Sequence, residues 1–234
     1  MSKKVLCTIC ARGGSKGLKN KNIKPLLDKP LIAHTILQAQ QSGLFEHIVI
    51  STDSDEIAKI SKQFGGEVFF TRDANLASDN AGKLAVIQDA FIKSESYYDT
   101  KFDYLIDLDA TAPLRKVSDI QNAFEQLINN SRSNLITGVA SRKSPYFNLI
   151  EIDTNNKVKL SKQLDKPILR RQDAPKCYDM NASIYIWNRD TILNQTNIFL
   201  ESTGFYEMDE YSLFDIDTEL DFKIVEMIMK EKND

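Results

Sequence analysis

The sequence predicts an α/β domain built on a mainly parallel sheet flanked by helices. Short β-type runs alternate with longer helical patterns along most of the chain, which implies βαβ crossovers. The first apolar run ends abruptly in the glycine-rich, cationic segment "ARGGSKG" (11–17), the kind of loop that follows a buried strand. The chain also closes on a helical pattern after a last run of strand-like residues.

Taken in order, "KKVLCTIC" (3–10) reads as a strand and "LIAHTILQAQQS" (31–42) as a helix, with Pro30 suited to its first turn. "HIVIST" (47–52) is a second strand. Residues 53–66 form a helix that Asp53 or Ser54 caps and Gly65 and Gly66 stop. "EVFF" (67–70) is a third strand, 82–95 a helix, "FDYLIDL" (102–108) a strand, 117–130 a helix and "LITGVA" (135–140) a strand. Residues 141–180 are polar and irregular, with short pieces such as "NLIEI" and "KVKL", and read as an inserted arm or hairpin. Strand and helix resume with "ASIYIWN" (182–188) and 218–230. No repeat, low-complexity tract or long linker divides the chain, so residues 1–234 form one domain with the arm at 141–180 inside it.

Composition narrows the classes. The 234 residues, 42% hydrophobic, suffice for one sizeable core. A net charge of −3 gives no support for nucleic acid or an anionic membrane as partner. No run approaches the roughly 18 apolar residues of a membrane span, and the N-terminus, with no long apolar segment ending in a small-residue cleavage site, does not read as a secretory signal. Three cysteines suit a reduced, cytoplasmic setting. Cys7 and Cys10 form a C-x-x-C, but side chains three apart on a strand point to opposite faces, so both read as small core residues.

The "ARGGSKG" loop sits where open parallel sheets bind ligands, beyond the carboxyl end of a strand. Its glycines let backbone N–H groups approach a ligand, and Arg12 and Lys16 add donors for phosphate oxygens. It matches neither the Walker A loop nor the dinucleotide fingerprint, since Leu18 stands where the second Walker glycine belongs. A plain glycine turn with solvated bases is the competing reading. Asp215 and Asp217, in "FDIDTELD", would share one face of an extended segment and suit a divalent cation such as Mg²⁺. They read equally well as an acidic helix start. A second pair, Asp107 and Asp109, ends a central strand and should face the same crevice as the loop.

Six segments, "ARGGSKGLKNKN", "VISTDSDEIA", "TRDANLASDNA", "LDATAPLR", "RRQDAP…MNASIYIW" and "DIDTELDF", together resemble the sialic-acid (nonulosonic-acid) cytidylyltransferases, or CMP-sugar synthetases, in order and over most of the chain. The resemblance implies a Rossmann-like nucleotide-diphospho-sugar transferase fold, with 141–180 as a small dimerisation arm. It implies CTP and a nine-carbon 2-keto sugar acid as substrates, CMP-sugar and pyrophosphate as products, Mg²⁺ (or Mn²⁺) as cofactor, and a homodimer. It assigns Arg12, Gly13, Gly14, Ser15 and Lys16 to the triphosphate, and Asn22, Arg72, Ser78 and Lys83 to the rest of the nucleotide. Asp109, Thr111, Arg171, Asn181 and Tyr185 fall to the sugar side, and Asp215 and Asp217 to the metal, with Arg12, Lys16 and Asp217 the catalytic set. Arg115 would hold the loop architecture. Phe199 and Leu200 would wall the partner subunit's sugar site or pack in the core.

Many sialic-acid members carry Gln where Asp109 stands. An ionised Asp accepts but cannot donate, which turns the expectation from plain N-acetylneuraminic acid toward a relative such as legionaminic or pseudaminic acid and admits Asp109 to the metal site. The implied chemistry is in-line attack of the anomeric hydroxyl on the α-phosphorus of CTP. His34 and His47 read as structural. The alternatives are a cytidylyltransferase for another sugar class such as 3-deoxy-octulosonate, a sugar-1-phosphate enzyme, a non-catalytic nucleotide-binding protein on the same fold, and a phosphohydrolase.

Overall fold

A computed structural model describes residues 3–166 and 168–233. Strands β1 (Val5–Cys10), β2 (Pro25–Leu26), β3 (Lys29–Pro30), β4 (His47–Ser51), β5 (Tyr104–Leu108), β6 (Asn134–Ala140), β7 (Ile150–Ile152), β8 (Val158–Leu160), β9 (Tyr178–Asn188) and β10 (Thr203–Glu207) accompany helices α1 (Leu31–Ser42), α2 (Asp55–Gln63), α3 (Ala74–Ala77), α4 (Lys83–Tyr98), α5 (Val117–Asn129), α6 (Arg189–Asn194) and α7 (Glu219–Asn233). Six strands form the main sheet in the order β10-β6-β9-β5-β1-β4. β1 runs parallel to β4 and β5, and β10 parallel to β6, while β9 is antiparallel to both β5 and β6. Five strands therefore share one direction, and their carboxyl ends line one edge of the sheet. The reversed β9 begins at that edge, where Tyr178 pairs with Ala140. The arm leaves and re-enters the sheet there, carrying the antiparallel β7–β8 hairpin. Of the residues expected in the arm, Pro167 lies outside those described.

The two-residue period of β1 builds both layers. Val5, Cys7 and Ile9 face a core with Ile32 and Ile36 of α1, Ile57 of α2 and Ile120 of α5. Leu6 faces the opposite core, with Leu84, Ile87 and Phe91 of α4 and Trp187 of β9. Cys10 belongs to this second face but is only half-buried, at the sheet's carboxyl edge. Cys7 is the small core residue expected; Cys10 is not fully enclosed. A third cluster, including Leu18, Leu114, Ile216, Phe222 and Val225, seats α7 behind the glycine-rich loop.

Most expected elements form within a few residues of their predicted bounds. The expected strand at 67–70 does not: Glu67 makes a single bridge to Val49, and the chain then turns away from the sheet edge. Phe69 and Phe70 instead join an aromatic cluster, with Phe69 stacked 4.0 Å from Tyr97. His34 donates through Nε2–H to Leu26 O at 3.0 Å, and His47 stacks on Tyr98 at 3.7 Å with Glu67 3.1 Å from its Nδ1. Both histidines thus have structural partners away from the crevice.

Arg115 ties the crevice floor together. Buried between β9, α1 and the strand β5 exit, it donates to Ser183 O at 2.8 Å, Thr35 Oγ1 at 3.1 Å, Gln38 Oε1 at 3.0 Å and Asp109 O at 3.3 Å. Burial lowers its pKa to about 10, against the opposing pull of Asp109. Truncation would orphan acceptors on three segments at once. Arg115→Ala is expected to lower unfolding stability by about 3 kcal/mol, measured by urea titration; a loss under about 1 kcal/mol would show that water replaces the tie.

Candidate active site

The carboxyl edge of the sheet holds two adjoining clefts. The larger, about 520 Å³, is lined by Arg12, Ser15, Lys16, Lys21 and Asn22 on one side and by Asp109, Thr111, Asp215 and Asp217 on the other. The smaller, about 230 Å³, is lined by Arg72, Ser78, Asp79 and Lys83, and shares Cys10, Arg12 and Asp109 with its neighbour.

The loop's shape follows from its braces. Ser54 caps α2, accepting from Ile57 N at 3.4 Å, which leaves Asp53 to accept from Gly13 N at 2.9 Å. Ser15 N donates to Gly13 O at 3.0 Å. Two of the amides expected to face phosphate are therefore engaged within the protein, while Gly14 is exposed. Asn22 is buried and donates to Arg12 O at 3.0 Å, so it fixes the loop from beneath. At Gly17 a Cβ would fall 2.3 Å from Asp217 O, so only glycine lets the loop approach the acidic segment this closely.

Asp215 and Asp217 flank the buried Ile216, whose N–H donates to Thr111 O at 2.9 Å. The i, i+2 spacing turns both carboxylates toward the same cleft, as an extended segment requires. Lys21 pairs with Asp217 at 2.6 Å and donates to Ile216 O at 2.9 Å. Among the described residues no ion pair reaches Asp215, and burial, then the charge of Asp217, raises its pKa. An acidic pair short of counter-charge beside a cationic loop fits a divalent ion that takes one or two protein carboxylates and completes its shell with phosphate and water. Among the described residues no group of three or more His, Cys, Asp or Glu side chains forms a ready metal cage.

Asp109 is occupied otherwise. Its Oδ1 accepts from Thr111 N at 2.9 Å and Thr111 Oγ1 at 2.8 Å, and its Oδ2 accepts from Lys83 Nζ at 2.8 Å. Lys83 also lies 3.4 Å from Asp107 and 4.6 Å above the Tyr185 ring. Asp107 is fully buried and accepts from Thr8 Oγ1 at 2.8 Å. Burial opposes the charge on Lys83, yet Asp109 and then Asp107 hold its pKa well above the ordinary lysine range. Burial likewise opposes the charge on Asp109, while Lys83 holds its carboxyl well below the usual range.

The remaining expected residues are dispersed. Arg72 is buried and donates through Nε to Ser51 Oγ at 3.0 Å and through Nη2 to Ser51 O. Ser78 Oγ donates to Asn75 O at 2.8 Å. Tyr185 is buried under Lys83, and Asn181 lies in the interior, where its amide accepts from Thr137 Oγ1 at 2.8 Å and donates to Ser212 O at 2.9 Å. Arg171 is exposed in a separate cleft of about 520 Å³ at the base of the arm, with Lys143, Lys176 and Tyr178. Phe199 is 68% exposed, and the half-buried Leu200 packs on the second core. Two cleft residues lacked an individual role in the sequence reading: Lys21 and Asp79. Both lie inside segments quoted for the resemblance, and only the fold reveals the carboxylate or cation opposite each.

A glycine-rich cationic loop facing paired carboxylates across the sheet's carboxyl edge is the arrangement of a nucleotidyltransferase. The cytidylyltransferase family model matches residues 6–234, and the chain belongs to that family. It is 56% identical over 229 residues to the CMP-N,N'-diacetyllegionaminic acid synthase of Campylobacter jejuni, covering 98% of this chain and 96% of that one. It is 57% identical, with the same coverage, to the post-translational flagellin modification protein B of Campylobacter coli. Among solved structures, a CMP:2-keto-3-deoxy-manno-octonic acid synthetase complexed with CTP superposes with a TM-score of 0.69 at 18% identity, over 98% of this chain and all of that one, a likeness of fold.

The charge cluster generates a pH signature. In Lys83→Met, Asp109 keeps its burial but loses the cation that holds its pKa down, so the folded-state pKa rises above the unfolded value near 3.9. The native state then binds more protons than the unfolded one, and stability falls as pH rises. The variant's deficit against the native chain is expected to be largest at pH 7 and to shrink toward pH 5, read from urea midpoints; a deficit independent of pH would reject the charge account.

Proposed function

We propose that this chain couples CTP to a nine-carbon 2-keto sugar acid, N,N'-diacetyllegionaminic acid being the first candidate, and releases pyrophosphate. The observation that carries the chemistry is the larger cleft, with Arg12, Lys16 and Lys21 opposite Asp215 and Asp217. The choice of sugar rests on the 56% identity to the legionaminic synthase over nearly the whole of both chains.

In this reading Arg12 and Lys16 grip the triphosphate and meet the charge that builds on the leaving pyrophosphate oxygens. Lys21 adds a third cation beside the acidic pair. Asp215 and Asp217 would hold Mg²⁺ (or Mn²⁺), which when bound supplies further neutralisation of phosphate charge. The anomeric hydroxyl attacks the α-phosphorus in line: the new oxygen–phosphorus bond forms as the bond to the pyrophosphate oxygen breaks, and the hydroxyl proton passes to water in the cleft. Arg72, Ser78 and Lys83 border the nucleoside end in the smaller cleft. Asp109, held ionised by Lys83, presents acceptor-only oxygens at the junction of the clefts, which favours a hydroxyl or amide N–H of the substrate there. Arg171 and Phe199 lie outside both clefts, so their part in sugar binding requires a second subunit. The exposed Ile150, Ile152 and Val158 of the β7–β8 hairpin supply an apolar surface for a homodimer.

A pyrophosphate-release assay with CTP, Mg²⁺ and a panel of keto acids tests the reading. N,N'-diacetyllegionaminic acid should exceed N-acetylneuraminic, pseudaminic and 3-deoxy-octulosonic acids in kcat/KM by about 10-fold or more. Release without any keto acid would favour a phosphohydrolase instead. In the same assay Asp217→Asn should lose about 100-fold or more in turnover while keeping its circular dichroism spectrum; undiminished turnover would reject the metal assignment.

A further inference from the structure

Asp79 stands in the connection between α3 and α4, away from the end of β5 and the segment before α7 that carry the other carboxylates. One of its oxygens accepts from Arg12 Nη2 at 2.8 Å, and the other pairs with Lys16 Nζ. Arg12 Nη1 also donates to Ala77 O at 3.3 Å. Three contacts therefore fasten the glycine-rich loop to residues 77–79. They use the two side chains read above as the grip on the triphosphate, and Arg12 is the one cation of the pair that lines both clefts.

A carboxylate with one oxygen on each of two cations offers the same acceptors that a phosphoryl group would. A phosphate on Arg12 and Lys16 would bring its own charge against that of Asp79, so the two anions compete. Asp79 is partly exposed, its side chain 44% accessible, so its pairs are screened and weak enough to be given up.

We propose that Asp79 is an internal phosphate surrogate: a positioning residue that holds Arg12 and Lys16 at phosphate-binding spacing and yields them to the nucleotide's phosphates. This rests on the loop being the phosphate grip, and deepens that reading. Its consequence is a threshold. A singly charged anion gains too little to exchange partners with Asp79, whereas a polyphosphate, with several oxygens for the same cations, gains enough. The exchange also frees the 77–79 turn, so occupation of the larger cleft loosens the wall of the smaller one.

The test uses inorganic pyrophosphate as the probe, with a chelator present so that only the protein's own cations are read. Isothermal titration compares the native chain with Asp79→Asn, Asp73→Asn and Arg12→Ala. Asp73 belongs to the same segment but pairs with Lys93, 3.4 Å away, and serves as the control for loss of one negative charge. Asp79→Asn is expected to bind pyrophosphate about 3- to 10-fold more tightly, with Asp73→Asn within about 2-fold of native. Hydrogen exchange adds a readout that charge removal alone would not produce. Residues 11–17 should exchange faster in Asp79→Asn than in the native chain without pyrophosphate, and equally in both when it is bound. If Arg12→Ala loses binding while Asp79→Asn binds no more tightly than native, the surrogate role is overturned and the phosphate grip stands. If Arg12→Ala binds as native does, the grip itself fails, and the surrogate role fails with it.

Discussion

The crevice depends on one half-buried cation. Lys83 begins α4 and points at the end of β5, where Asp107 and Asp109 present two carboxylates on one face. Taking Asp107 fully out of water, and Lys83 and Asp109 partly, is costly, and the arrangement survives because each charge neutralises another at close range. Remove Lys83 and the fully buried Asp107 is left without its counter-charge. The cluster joins the sheet to a helix start that is unfavourable for a cation on dipole grounds, so the carboxylates also offset the positive end of α4. Thr8, Thr111 and Tyr185 complete its surroundings.

From this anchor the geometry of both clefts follows. Asp109 is held, so Thr111 is held, and Thr111 O in turn receives the N–H of Ile216 between the acidic pair. Arg115 grips the carbonyl of Asp109 from the other side. The acidic segment then meets the glycine-rich loop at Gly17 and at Lys21, and the third hydrophobic cluster presses α7 against the back of that contact. Parts that lie 100 or more residues apart in sequence thus share a chain of direct contacts.

Much of this was legible in the sequence, for definite reasons. The α/β alternation showed because a buried parallel strand needs a continuous apolar run and its covering helix needs a 3.6-residue stripe. The loop and the "DIDTELD" carboxylates showed because glycine and paired charge are chemically conspicuous. The strand expected at 67–70 failed because apolar aromatic content marks burial, not sheet pairing: Phe69 packs with Tyr97, Tyr98 and Phe70, and both phenylalanines rest on the second core. β10 went unread because an edge strand bonded on one side only needs little apolar patterning, and "TGFYE" has little. The direction of β9 is a matter of topology, which local periodicity does not encode. Among site residues, those whose charge faces the cleft were found, and those whose importance is a partner, such as Lys21 with Asp217, were not.

Seen as electrostatics, the clefts' cations are all answered internally: Arg12 and Lys16 pair with Asp79, Lys21 with Asp217, and Lys83 with Asp109 and Asp107, while Asp215 has no ion pair among the described residues. Binding a polyphosphate here is an exchange of partners, not the capture of an anion by free cations. The gain is then a difference between two sets of ion pairs, and it is largest where the internal pair is most exposed and weakest. That orders the three sets. The Lys83 cluster, with Asp107 fully buried, is the least exposed and keeps its partners, the Lys21–Asp217 pair is intermediate through its exposed carboxylate, and the exposed Arg12–Lys16–Asp79 set exchanges first. The same gradient explains the division of labour in the crevice: the buried pairs set its shape, and the exposed ones are available to a ligand.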